Sequence, residues 1–479
     1  MESLKSRTIK GVGWGTLQSL LNYGVGFVVG IVLARLLGPG DYGLIGMAVI
    51  FINLSQAIID SGLSSSLIRK KDASDEDFQT VFLVNMGISV LMYGFLFLIA
   101  PVIATFFKEP RLVAVLRVLT VVLFFNALSM VQRTKLTKKI DFKSLTKASV
   151  SAALISGVVG ISMAYMGYGV WALVAQRLVQ EFVRTIALWW CSKWIPRLQF
   201  SKERFKEHFS FGWKLLVSGI LSSTMREATN AVIGRCYSAL SLGYYTKARR
   251  FTTMVSQNLT SIVQSVTYPS LSEIQDDKER LRSAYRTTIR VTMLVTFSAM
   301  LMLAAIAKPL VLTLIGEKWL PTVGMLQVTC FYMMLYPLHS LNLNMLQVAG
   351  RSDLYLRLEI IKTALITVPL TLGVWKSIYW MLWGYVAIGF VAYYLNAYYS
   401  GRFVGYSMLQ QVRDILPDFL VAAISAAAVW TITLLPFNCY VQLACQCVLG
   451  LGLIIGLCKL FKLPEYEEIK TIVYQYIKK

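Results

Sequence analysis

Histidine is nearly absent from this chain of 479 residues, which holds only His208 and His339. Both are isolated, and they read as packing or surface groups; no cluster of carboxylates and histidines marks a proton-transferring enzyme. Seven cysteines are present without a CxxC pair, mostly inside apolar stretches, so they read as small buried hydrophobes. No disulfide, metal site or cofactor is expected. Charged residues make up only 15% of the chain, less than the quarter or so of a soluble domain. Long polar insertions are missing as well, and so is the short alternating pattern of about ten residues per strand that a membrane β-barrel would show.

Hydrophobic residues, by contrast, are 56% of the sequence, and the mean hydropathy is +0.59. A crossing needs about 20 mostly apolar residues at a rise of about 1.5 Å each. About fourteen such stretches can be read, the first over 11–34 and the last over 441–459. The expected fold class is an all-α integral membrane protein. Lys5, Arg7 and Lys10 ahead of the first stretch imitate a secretory signal, but the stretch is too long and no small-residue cleavage site follows, so it reads as helix 1.

Orientation follows from the basic residues. With residue 1 on the cytoplasmic side, roughly 33 of the 47 Lys and Arg fall on inner connectors and termini and about ten on outer ones. Arg117, Arg177, Arg184 and Arg226 lie within spans. Both termini are expected to be cytoplasmic. The net charge of +22 is then a matter of topology and attraction to anionic lipid headgroups, with no need for nucleic acid. Four outer charges crowd one place: Arg235, Lys247, Arg249 and Arg250.

The chain also repeats itself. Tyr42 matches Tyr245, the acidic run from Asp72 matches that from Asp276, and Pro101 matches Pro309, at offsets of about 203 to 208. Six helices separate the copies, so corresponding helices cross in the same direction, the parallel type of repeat. The expected division is an N-lobe over 1–191, an amphipathic surface linker over 192–212, a C-lobe over 213–400, two further helices over 401–459 and a cytoplasmic tail over 460–479.

An ionisable group near the bilayer centre costs about 2.5 to 3.5 kcal/mol on insertion scales, so it marks a partner or a function. Arg226 and Glu227 stand about 20 Å into helix 7, with Asn230 on the neighbouring part of the same face. Adjacent side chains on a helix point about 100° apart and cannot simply neutralise each other. Lys247, Arg249 and Arg250 follow on helix 8; snorkelling to the outer headgroups is one reading, and against it stand their number on the face where basic residues are disfavoured and their place opposite helix 7. On helix 6, Arg177, Glu181 and Arg184 form one stripe, either an internal pairing or an ion-coupling group. On helix 2, Asn53, Gln56 and Asp60 align, with Gln18 and Asn22 offered by helix 1; such groups more often bond helix to helix. A coupling ion, H+ or Na+, would sit at Asp60, Glu181 or Glu227.

Four strings in order carry a likeness: LARLLGPGDYGLIGMAVIFINLSQAIIDSGLSSSLIRK, GYGVWALVAQ, LGYYTKARR and YPSLSEIQDDKERLRSAYR. Together they resemble the Wzx-type polysaccharide flippases of the multidrug, oligosaccharidyl-lipid and polysaccharide exporter superfamily, over residues 5–420. The resemblance implies two six-helix lobes around a central cavity, two extra helices, and opening to alternate sides of a bacterial inner membrane. It implies polyprenyl-pyrophosphate-linked glycans as cargo, moved to the outer leaflet without an enzymatic step. Basic residues on the first, seventh and eighth helices would hold the pyrophosphate, which here match Arg226, Lys247, Arg249 and Arg250. Helix 1 departs from that pattern, offering Arg35 only near its outer end.

Three other functions stay open on the residues alone. A cation-coupled drug or metabolite antiporter of the same fold would want acidic groups to dominate the cavity. A membrane glycosyl-transferring or polymerising enzyme would want a large outer loop, and no outer connector exceeds about a dozen residues. A non-transporting subunit has no residue signature at all.

Overall fold

The computed structural model describes residue 21 and residues 24–60, 62–70 and 72–477. Gln18, Asn22, Lys5, Arg7 and Lys10 lie outside the described residues. Among those described, every regular element is a helix.

The chain runs from α1 (Gly24–Leu36) through α2 (Pro39–Asp60), α3 (Leu63–Arg69), α4 (Asp75–Phe107), α5 (Leu112–Leu119), α6 (Val122–Lys138), α7 (Phe142–Tyr165), α8 (Val170–Ser192) and α9 (Lys202–Cys236). It continues with α10 (Ala239–Glu273), α11 (Lys278–Ala305), α12 (Ala307–Leu314), α13 (Thr322–Met333), α14 (Tyr336–Val348), α15 (Ser352–Leu365) and α16 (Thr367–Trp375). The last four are α17 (Ile378–Val404), α18 (Met408–Thr431), α19 (Cys439–Leu460) and α20 (Pro464–Ile477).

Nine helical stretches among the described residues are long and apolar enough to cross a membrane, from Pro39–Arg69 to Cys439–Leu460. The protein is therefore a multi-pass, all-α membrane protein. Helices α8, α9 and α10 have the length but not the composition, because each carries several charged or polar residues. The expected charges of α8, α9 and α10 thus lie on helices that hydropathy alone leaves out, whereas Asp60 lies on α2, which it includes.

The repeated acidic runs have a local physical role. At the first, Ser74 caps α4: its hydroxyl accepts from the Asp77 N–H at 3.3 Å, and the Asp77 carboxylate accepts from the Ser74 N–H at 2.7 Å. Asp75, Glu76 and Asp77 also place negative charge on the positive end of the helix dipole. At the second, Asp277 caps α11 by accepting from the Arg280 N–H at 3.1 Å. Both runs start a long membrane helix.

The chain divides into two compact units, residues 1–246 and 247–479. In the first, α7 and α8 pack along their length, and Leu63, Leu67, Phe78, Phe82 and Trp194 form a buried cluster under α3. In the second, α11 and α18 form the main pair, around Tyr285, Ile289, Met293, Phe297 and Ile415. Apolar area drives little association inside lipid, so close packing of small residues matters more. The first turns of α2 and α10 show this: a Cβ on Gly43 would stand 1.6 Å from the Ala239 carbonyl oxygen, and one on Gly243 would stand 1.8 Å from that of Pro39. Only glycine permits that backbone contact.

Candidate functional site

The polar group of the first unit assembles between α2 and α9. Glu227 is half-buried, and each of its carboxylate oxygens accepts from an amide: Asn53 Nδ2 at 2.8 Å from α2, and Asn230 Nδ2 at 2.7 Å from its own helix. Charge here is stabilised by amide dipoles rather than by a cation. Arg226, adjacent in sequence and exposed, donates instead to Ser223 Oγ at 2.9 Å. Two acceptors in this region lack a hydrogen-bond partner, Asn230 Oδ1 and Gln56 Oε1. The arrangement offers an exposed guanidinium beside buried acceptors, which suits a ligand bearing both anionic oxygens and hydroxyl groups.

Other expected residues lie apart from that group. Arg35 is exposed in the last turn of α1. Asp60 closes α2 and accepts from Ser64 Oγ at 2.8 Å. On α8, Glu181 is fully buried, and Arg184 Nη1 donates to both of its oxygens at 3.1 and 2.9 Å, while Arg177 Nη2 stands 3.5 Å from Oε1. This stripe closes on itself along one helix.

In the second unit, Lys247 is buried on α10 with its ammonium 5.5 Å from the centre of the Trp319 ring, itself fully buried. A cation held over an indole face is stabilised by the ring quadrupole. Arg249 is half-buried and Arg250 exposed on the same helical turn.

A further network links α3, α4 and α9 in the first unit. His208 is buried, with Nδ1 2.8 Å from Ser66 Oγ and Nε2 3.1 Å from Asp77 Oδ1. Lys70 donates to Asp77 at 3.1 Å and to Glu207 at 2.8 Å. The Lys70 ammonium holds the Glu207 carboxyl below the usual carboxylate range. Although a Ser, a His and an Asp lie in line, all three are buried and surround a helix N-terminus, so the network ties elements together. Of the two readings of His208, packing and surface, the structure shows packing, and its partners lie up to 142 residues away, beyond the reach of local spacing. The contact of Lys247 with Trp319 lies beyond that reach as well. Only the acidic start of α4 gave a signal, and that signal speaks of capping. Among the described residues no group of three or more His, Cys, Asp or Glu is placed to hold a metal ion.

Residues 32–324 match the model of a family described as polysaccharide biosynthesis protein. The succinoglycan biosynthesis transport protein ExoT of Rhizobium meliloti (strain 1021) is 27% identical over 331 residues, covering 68% of this chain and 67% of that protein. The lipopolysaccharide biosynthesis protein WzxC of Escherichia coli (strain K12) is 24% identical over 373 residues, covering 78% and 76%. Among solved structures, the lipid II flippase MurJ in an inward closed conformation superposes with a TM-score of 0.75 at 13% identity, covering 95% of this chain and 98% of that one. That similarity establishes a shared fold.

Proposed function

We propose that this chain, which belongs to the polysaccharide biosynthesis protein family, moves a polyprenyl-pyrophosphate-linked oligosaccharide across the membrane by opening alternately to its two sides. The cargo serves surface polysaccharide, and the membrane is the bacterial inner membrane, with both termini in the cytoplasm. The names of the relatives, a succinoglycan transport protein and a lipopolysaccharide biosynthesis protein, support the substrate class.

The observation that carries the reading is the choice of charge on α9 and α10. A pyrophosphate with about two negative charges does not enter hydrocarbon unaided. Arg226, Lys247, Arg249 and Arg250 supply guanidinium and ammonium donors on helices of membrane-crossing length. Such groups lower the barrier by charge-assisted hydrogen bonds and need no covalent step. Glu227, Asn230 and Asn53 offer acceptors for sugar hydroxyls, Arg35 adds a positive charge at the end of α1, and the lipid tail stays in the bilayer. H+ or Na+ coupling is assigned to Asp60 as the secondary element of this proposal, while the α8 stripe of Arg177, Glu181 and Arg184, already paired along its own helix, serves as an intramembrane pairing.

Replacing both Arg249 and Arg250 by Glu tests the reading. Surface polysaccharide is expected to disappear while the amount of protein in the membrane is unchanged; normal polysaccharide from a well-expressed double variant overturns the assignment. Cysteines placed at 226 and 227 should react with a membrane-impermeant thiol reagent in a background lacking the native cysteines. Complete protection in every state would make those positions packing residues.

A further inference from the structure

Asp418 stands ten residues into α18, about 15 Å from its start at 1.5 Å per residue. It is fully buried, and neither carboxylate oxygen has a hydrogen-bond partner. From α20, Glu465 approaches it, also buried and also without a hydrogen bond to either oxygen. Arg290 of α11 touches Glu465 through Nε in a close ion pair that lacks hydrogen-bond alignment. Leu294, Val421, Cys458 and Leu463 close an apolar cluster around the same three helices and α19.

Charge counting sharpens the problem. The groups facing Asp418 are Arg290 from α11, Glu465 from α20, Cys458 from α19 and Asp414 from its own helix. Asp414 is already matched: Arg286 of α11 donates to it from two nitrogens, at 2.5 and 2.7 Å, and Tyr406 donates at 2.7 Å. That leaves two carboxylates against one guanidinium. A buried carboxylate without a partner does not stay ionised at reasonable cost, and a metal cation would need several oxygen ligands, whereas no three-carboxylate group is present among the described residues.

We propose that Asp418 is a proton-binding site, and that the bound proton lets the C-terminal helix α20 seat Glu465 against Arg290 beneath the apolar cluster. The site is separate from the cationic residues of α9 and α10 and does not depend on their role in binding cargo. Loss of the proton would set two carboxylates against each other and drive α20 away from α11.

Dicyclohexylcarbodiimide, which modifies protonated carboxyls in apolar surroundings, tests this on the full-length protein in detergent, with peptide mass spectrometry at residue 418. Asp418 should be modified at pH 6 and modified at least tenfold less at pH 9.5, and replacing choline by sodium at either pH should change nothing. Absence of modification at pH 6, or modification independent of pH, overturns the proposal; protection by sodium overturns it in favour of a metal-cation site. Melting gives a second readout. The wild type should melt at least about 2 °C higher at pH 6 than D418N does relative to their values at pH 9.5, because a ligand that binds the folded state stabilises it. An equal pH dependence in the two proteins would refute the site.

Discussion

Glu181 of α8 and Asp418 of α18 are both fully buried carboxylates in helices of membrane-crossing length, one in each unit of the molecule. Their surroundings differ completely. Glu181 accepts two hydrogen bonds from Arg184 and lies beside Arg177, so its charge is matched along its own helix. Asp418 accepts none. Glu227 falls between them, with amides and no cation on its oxygens. Depth in the protein therefore does not say what a carboxylate does. The hydrogen-bond inventory separates a charge that braces the fold from one that is left for a ligand or a proton.

The comparison can be broken most forcefully at Glu181. E181A leaves Arg184 facing a buried gap, and removing one partner of a buried pair costs about 3 kcal/mol; a matching drop in unfolding free energy in detergent is expected, and a loss under about 1 kcal/mol would put Glu181 in the same class as Asp418. Next comes His208, which is satisfied as Glu181 is, though by neutral and acidic neighbours. H208A strips a partner from both Ser66 and Asp77 and is expected to cost about 1–3 kcal/mol, read by the same unfolding measurement.

D418N should move the other way. Its amide is isosteric and carries no charge to desolvate, so stability at alkaline pH is expected to hold or rise by about 1 kcal/mol. A large loss would reveal a partner that Asp418 needs in ionised form. The smallest effect is expected at Glu207, an exposed end of the His208 network. Its carboxyl is held below the ordinary value of 4.5 by the Lys70 hydrogen bond. A depressed carboxylate stabilises fully above its unfolded value, and that contribution fades as the pH falls through the folded value. E207Q should therefore show its full loss of stability above about pH 4.5 and a shrinking loss below it, by no more than about 0.5 kcal/mol, as for surface pairs in general. Acid unfolding of the two proteins side by side checks it.

Much of the architecture could be read in advance. The apolar stretches implied an all-α membrane protein, and the likeness to polysaccharide flippases agrees with the family match and with the fold shared with MurJ. The α8 stripe was visible as a spacing of four and three, because its partners lie on one helix. Asp418 is not legible as a site in the sequence. Apolar length places the start of its span near residue 416, which makes Asp418 an edge residue, whereas α18 begins at Met408 and buries it ten residues in. Arg290 was hidden in the same way, since α11 begins at Lys278, well before the apolar residues do.

Membrane insertion, helical content and the pairing within a helix are set by composition and short-range periodicity, and these the chain determines by itself. Which charge meets which is another matter. Glu227 finds Asn53 across 174 positions, His208 finds Asp77 across 131, and Arg290 finds Glu465 from the far end of the chain. Only the packing of helices against one another selects those partners, because a side chain reaches a few ångströms while the sequence between the partners carries no term for their distance. The same packing decides that Asp418 has none.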